Sequence, residues 1–174
     1  MAQNDLKSLF NVSQIEITYR NKIPYENRIK IDTSRIAYDI LLSSWDAGKI
    51  ELVEQFKILL LDNKCNCLGI SEISTGGTGT CIADPKIIFA TALKARASRL
   101  ILAHNHPSGH LKASEADVSL THALAKAGKI IEIPVLDHII VTPQGYYSFV
   151  DDNLMPGWES DAKVQAALPS LKIS

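Results

Sequence analysis

Two short apolar runs, with a helix-forming stretch between them, constrain this chain more than any other feature. Phe56 to Leu61 and Arg99 to Ala103 have the length and apolar character of strands. The segment between them opens at Asp84-Pro85 and predicts a helix to about Ala97. Aspartate caps free amides at a helix start, and proline suits the first helical position because its missing N–H has no partner there. Near-continuous apolar runs mark strands buried on both faces, so helices must cover the sheet they form. The expected architecture is therefore α/β or α+β, a layered domain with at least one strand–helix–strand crossover, and not a bundle or a sandwich.

Periodicity and turn chemistry place the remaining elements. Ile15, Ile17 and Tyr19 alternate with polar residues and predict a first strand. Asp32-Thr33-Ser34 offers caps for a helix through Trp45, stopped by Gly48. The turn Asp62-Asn63-Lys64 folds the first apolar run onto a hairpin partner, Cys67 to Ile73. After His104 comes a loop containing Pro107 and Gly109, then Ser114 and Asp117 in the pattern of a capping box, before a helix ending near Gly128. Ile130 to Val135 and Ile139 to Val141 predict two strands, and Pro143-Gln144-Gly145 turns the chain into Tyr146 to Val150. The tail shows a weak helical pattern from Ala162 to Leu168. Residues 1–50 thus read as a strand-and-helix extension packed on the core, 51–150 as the principal domain and 151–174 as a C-terminal tail.

Charge and cysteine content narrow the function. A net charge of -1 gives nucleic-acid binding no support, since proteins that live on phosphate contacts carry an excess of Lys and Arg. Lys94, Arg96 and Arg99 form a local cationic cluster, better explained as charges that complement a helix C-terminus. No apolar run approaches the roughly 20 residues of a membrane-spanning helix, and Met1 to Leu9 lacks a signal-peptide core. Cys65, Cys67 and Cys81 make an odd count without a CxxC pair, which fits reduced thiols in a cytoplasmic protein. Cys65 and Cys67 would share a strand face, but nothing nearby offers further ligands, so all three read as packing or surface residues.

The chemistry lies in His104-Asn105-His106-Pro107 with Ser114 and Asp117. Residues i and i+2 of an extended segment point to one side, so both imidazoles can reach one cation. Pro107 restricts His106 to extended backbone. Asp117 lies on the first turn of the next helix, within range of the loop. Two imidazoles and a carboxylate are a common catalytic zinc set that leaves a fourth position for water. Taken singly, each histidine reads as a strand-end surface residue, Ser114 as a cap and Asp117 as its capping-box partner. Together they form an arrangement that packing does not require.

The stretch His104-x-His106-Pro107-x6-Ser114-x2-Asp117 resembles the JAMM motif of JAB/MPN metallopeptidases. The fuller set, His104 to Gly109 with Ser114, Asp117, Thr121 and Asp137-His138-Ile139-Ile140, is similar to the bacterial RadC family, over about Glu51 to Phe149. The resemblance implies a cytidine-deaminase-like layered fold with a mixed sheet flanked by helices, and a Zn2+ peptidase or isopeptidase site. It assigns the metal to His104, His106 and Asp117, oxyanion stabilisation to Ser114, and the general base to a glutamate on an earlier strand. Glu54, immediately before Phe56, takes that position; Glu72 is the rival and Glu51 a weaker third. Asp137-His138 reads as an element that orients the metal site, or as an ordinary interior pair, and His110 and His122 read as surface residues. Two features depart from the family pattern. Ala113 stands where a proline often precedes the serine, which implies a less rigid loop. The first 50 residues show no helix-hairpin-helix of the kind that longer members carry for DNA, so the family's DNA-repair name finds no support here.

Other metal and phosphate chemistries fail on composition. Zinc deaminases need H-x-E with P-C-x-x-C, and neither occurs. The letters HNH at 104 to 106 are adjacent, unlike the nuclease residues of that name. The glycine-rich run Ser74 to Thr80 lacks the Gly-Lys-Ser/Thr of a P-loop and reads as a loop beside the cleft. Two functional readings remain: a zinc hydrolase acting on an amide in a peptide or protein substrate, and a DNA-associated or protein-interaction module with a structural or inactive zinc. Oligomeric state leaves no mark in the sequence.

Overall fold

The computed structural model describes residues 16–156 apart from Tyr19 and Thr80. Its centre is a five-stranded mixed sheet in the order β2-β1-β3-β4-β5: β1 Gln55–Leu61, β2 Cys67–Thr75, β3 Arg99–Asn105, β4 Val135–Thr142 and β5 Gly145–Ser148. All pairs are antiparallel except β3 with β4. Three helices cover it: α1 Ser34–Ser43, α2 Pro85–Lys94 and α3 Glu115–Ile130. The expected α/β layering, with its mixed sheet, is observed. β1 and β4 are buried along their whole length, which is why their apolar runs do not alternate.

Helix α1 buries Ser34, Ala37, Tyr38 and Leu41, a stripe spaced i, i+3, i+4, i+7. Its Tyr38 hydroxyl donates to the Thr142 carbonyl at 2.9 Å, anchoring the helix on β4. Ile31, Ala37, Leu41 and Trp45 belong to the same core as the strands. Successive strand residues face opposite sides, and the sheet uses this to separate its partners. His104 and His138 face α3, whereas their neighbours Asn105 and Asp137 face α1 and the loop after it.

The predicted strand Ile130 to Val135 does not form. Helix α3 continues through Gly128 to Ile130, the chain reverses over Ile131 to Pro134, and the two strands expected from Ile130 to Val141 are the single strand β4. The reversal is a Schellman turn: Glu132 is left-handed (φ 58°), Ile133 N–H donates to the Gly128 carbonyl at 2.9 Å, and Glu132 N–H to Lys129 at 3.4 Å. Gly128 is not the stop but the floor on which the chain lands, since a Cβ there would lie 2.5 Å from the Ile133 carbonyl oxygen. Helix α2 ends the same way, with Arg96 left-handed (φ 53°) and Ala97 bonded to Ala92. Arg96 is thus part of the turn itself, and Arg99 donates to Asn63 at 3.1 Å.

Smaller differences follow from local chemistry. Cys65 lies in the β1–β2 turn with φ 63°, not in a strand, so it shares no strand face with Cys67. The final strand stops at Ser148, where the chain turns to close on Asp137. Of the predicted first strand, Ile15 and Tyr19 lie outside the described residues; residues 16–18 are not in a strand, and Ile17 is exposed. The predicted tail helix also lies outside the described residues. Among the described residues no helix is long and apolar enough to cross a membrane.

Candidate metal centre

The centre is built at the carboxyl end of β3. Pairing with β1 sets Phe56 opposite His104, and pairing with β4 sets Ile140 beside it, so His104 is fixed in a strand buried from Leu100 onward. Phe56 lies nearly parallel to the His104 ring, with centroids 6.3 Å apart. His106 leaves the sheet just beyond, its amide still bonded to the Val141 carbonyl at 3.3 Å. Gly109, at φ 75°, returns the loop so that its N–H meets the His106 carbonyl. The His110 carbonyl then accepts from His106 Nδ1 at 2.6 Å. A carbonyl only accepts, so the hydrogen is on Nδ1 and Nε2 of His106 carries a lone pair. His110, read from the sequence as a surface residue, thus enters the site through its main chain, and it also lines the cleft.

The two Nε2 atoms of His104 and His106 are 2.9 Å apart, and Asp117 Oδ1 is 3.4 Å from that of His104. These three residues are the grouping of metal-type donors found among the described residues, with ligand atoms within 4.8 Å of one another. Burial holds the His104 ring down to about 4, with Asp117 opposing and His106 adding to the shift, so the ring is neutral at pH 7 and presents a lone pair. Two imidazole nitrogens this close need a proton or a metal between them. The donor set could hold a divalent cation that prefers nitrogen and carboxylate ligands.

Ser114 and Asp117 form the capping box of α3, and the Asp117 carboxylate also faces the imidazoles. Ser114 caps α3 and accepts from Asp117 N–H, and Asp117 Oδ2 accepts from Ser114 N–H at 2.8 Å and from its hydroxyl at 2.7 Å. The cap's two hydrogens go to Oδ2, which still lies 3.9 Å from His106 Nε2, while Oδ1 faces His104 Nε2. The Ser114 hydrogen is committed to Asp117 and must be released before it can serve an oxyanion.

Glu54 precedes β1 and lines the same cleft as His106, Ser114 and Asp117, a cavity of about 590 Å³ also bounded by Cys81, Ile82 and Lys112. Burial raises its carboxyl above the ordinary range and Asp117 pushes the same way, while His106 and the Cys81 amide pull it down. The glycine run fits around it: Glu54 N–H donates to Gly77 and Gly76 N–H to the Glu54 carbonyl. The other two glutamates stand elsewhere. Glu72, on β2, accepts from Gln55 of β1 and Thr75 of β2, and Glu51 is exposed; neither lines the cleft.

Asn105 lies within the His104–Pro107 stretch singled out in the sequence, but its role appears only in the structure. Asn105, fully buried between the two histidines, faces the opposite side of the sheet. Its Oδ1 accepts from Gln55 N–H at 2.7 Å and Trp45 Nε1 at 3.2 Å, and its Nδ2 donates to the Ile50 and Val53 carbonyls at 2.6 and 2.9 Å. It therefore grips the backbone on either side of Glu54 from the strand that carries both histidines. Nothing marked that role, because three of its four partners are main-chain atoms.

Fold and site together define a layered α/β domain with a candidate two-histidine, one-aspartate metal centre beside a carboxylate-bearing cleft. A profile of the RadC-like JAB domain matches residues 31–154, well over half of the chain, and the chain belongs to that family. It is 40% identical over 131 residues to a UPF0758 protein of Thermosynechococcus vestitus, covering 74% of this chain and 50% of that one. UPF0758 proteins of Flavobacterium johnsoniae and Alkaliphilus oremlandii are 41% and 43% identical over 101 and 102 residues, covering 58% and 59% of this chain and 44% of each relative. The chain spans about half the length of these relatives.

Proposed function

We propose that this domain is a zinc-dependent hydrolase of amide bonds in peptide or protein substrates, whether peptide or isopeptide. The observation that carries the reading is the convergence of His104 Nε2, His106 Nε2 and Asp117 Oδ1 on the wall of the cleft that Glu54 lines. A Zn2+ held there supplies Lewis acidity, lowering the pKa of water to near 7 and polarising a carbonyl. Everything else falls to the chain. Glu54, held above the usual carboxylate range by burial, takes the proton of the attacking water and passes it to the leaving amine. Ser114, freed from Asp117, turns its hydroxyl to the developing oxyanion. The open cleft admits an extended chain, and exposed Ile82 with partly exposed Leu120 and Pro107 offers it apolar contact. Three unpaired cysteines fit a cytoplasmic setting.

A module with purely structural zinc would have no use for a part-buried glutamate in an open cleft. Elemental analysis of the purified chain should find one zinc per molecule, and a fluorogenic peptide and isopeptide panel should find a cleaved substrate. Glu54→Gln should keep the zinc and lose about 10²–10⁴-fold in kcat. Zinc bound with no response to Glu54→Gln across the panel would refute hydrolysis and leave the interaction module, for which salt-sensitive DNA binding is the next assay.

A further inference from the structure

Behind the metal-facing histidine lies a second polar line, wholly inside the protein. His104 Nδ1 is 2.8 Å from Nε2 of His138, and His138 Nδ1 is 2.6 Å from the Thr121 hydroxyl, which donates to the Asp117 main-chain carbonyl at 2.6 Å. His138 and Thr121 are completely buried. Phe149 stacks on the His138 ring at 4.8 Å and Phe56 tilts against it at 5.7 Å.

The hydrogens in this line can be placed by elimination. The Asp117 carbonyl only accepts, so Thr121 spends its single hydrogen there. Thr121 can then only accept from His138, which puts the His138 hydrogen on Nδ1. The ring is completely buried between Phe56 and Phe149 and has no carboxylate partner among the described residues, a setting that excludes an unpaired charge, so it carries one hydrogen and Nε2 is bare. A bare Nε2 must receive its hydrogen from His104 Nδ1, which leaves Nε2 of His104 as a lone pair aimed at His106 and Asp117.

We infer that His138 and Thr121 are positioning residues: a one-way hydrogen-bond relay, Asp117 C=O to Thr121 to His138 to His104, that locks His104 in the tautomer able to bind metal through Nε2. The inference rests on the reading of His104, His106 and Asp117 as metal ligands. The relay also closes a ring. It begins on the main chain of one ligand residue and ends on the side chain of another, so the helix bearing Asp117 and the strand bearing His104 are tied together behind the metal. Removing the Thr121 hydroxyl lets His138 reverse, place its hydrogen on Nε2 and force His104 to carry its own on Nε2, where the metal should bind.

The test is zinc affinity by competition with a chromophoric chelator, together with long-range ¹H–¹⁵N correlation of the histidine rings in metal-free protein. Outer-shell partners of metal-bound histidines are worth about 10–100-fold in affinity. Thr121→Val and His138→Phe should weaken zinc binding by that factor. Thr121→Ser, which restores the hydroxyl, should bind like wild type, and spectra of wild type should show His138 protonated at Nδ1 alone. Variants that bind zinc like wild type, or a wild-type His138 protonated at Nε2, would overturn the relay while leaving the metal site standing. A wild-type protein that binds no zinc would instead remove the metal reading, and the ring spectra would still decide the hydrogen order. If Thr121→Val fails to fold, the wild-type spectra decide alone.

Discussion

Replacing Asp137 with asparagine should make this protein more stable at neutral pH. The Asp137 carboxyl is completely buried and has no cation within ion-pair distance among the described residues. Its Oδ1 accepts from His138 N–H at 2.7 Å and Val150 N–H at 3.0 Å, and its Oδ2 lies 2.7 Å from the Ser148 hydroxyl. Burial raises it from 3.8 to about 7, against the pull of those three hydrogen bonds.

The folded state therefore holds a proton that the unfolded chain releases. The group's contribution is complete below pH 3.8 and is lost as pH rises through about 7. At 1.36 kcal/mol per pH unit over about 3 units, the ceiling is about 4 kcal/mol. In Asp137→Asn the new side-chain amide would accept the two main-chain N–H groups through its oxygen and donate to Ser148 through its nitrogen, reproducing the protonated pattern at every pH. Urea unfolding of both proteins from pH 5 to pH 8 should show the variant gaining on wild type by about 3 kcal/mol across that range. An offset independent of pH, or a variant less stable than wild type at pH 8, would refute the assignment.

Three further substitutions probe the frame. Asn105→Ala strips partners from the Ile50 and Val53 carbonyls and the Gln55 amide, and should cost about 3 kcal/mol or more in chemical denaturation. Where it still folds, it should retain zinc while the activity that depends on Glu54 falls. Glu132→Gly relieves a left-handed residue in the α3 Schellman turn and should stabilise by up to about 1 kcal/mol, read as a rise in Tm by calorimetry. Gly128→Ala should do the opposite, because its Cβ would meet the Ile133 oxygen; a loss of about 1–3 kcal/mol should outweigh the gain in helix propensity. A more stable Gly128→Ala protein would show that the turn over α3 gives way freely.

Where local chemistry decides the structure, the sequence displayed it. Asp84-Pro85 opens a helix at once, and the i, i+2 histidines followed by proline do converge. Glu54 could be preferred to Glu72 only through family likeness; the geometry adds that Glu72, on β2, is held by Gln55 of β1 and Thr75 of β2. Ile130 to Val135 misled because β-branched residues in an apolar run resemble a strand, while the left-handed residue that turns the chain is a glutamate rather than a glycine. Asn105 was illegible for a different reason. A side chain that binds main-chain atoms some fifty positions away leaves no pattern in the identities of those positions.

The two parallel strands, β3 and β4, each carry one adjacent polar pair, His104-Asn105 and Asp137-His138, split across the sheet. Inserting or deleting a single residue in either strand would exchange the members of its pair, sending an amide or a carboxyl toward the aromatic rings and an imidazole toward α1. A slipped strand would forfeit the grip on β1 or on β5 in the same event that dismantled the histidine cluster. Misaligned chains are thus penalised twice, and the residues that give this domain its chemistry also act as its proofreaders during folding.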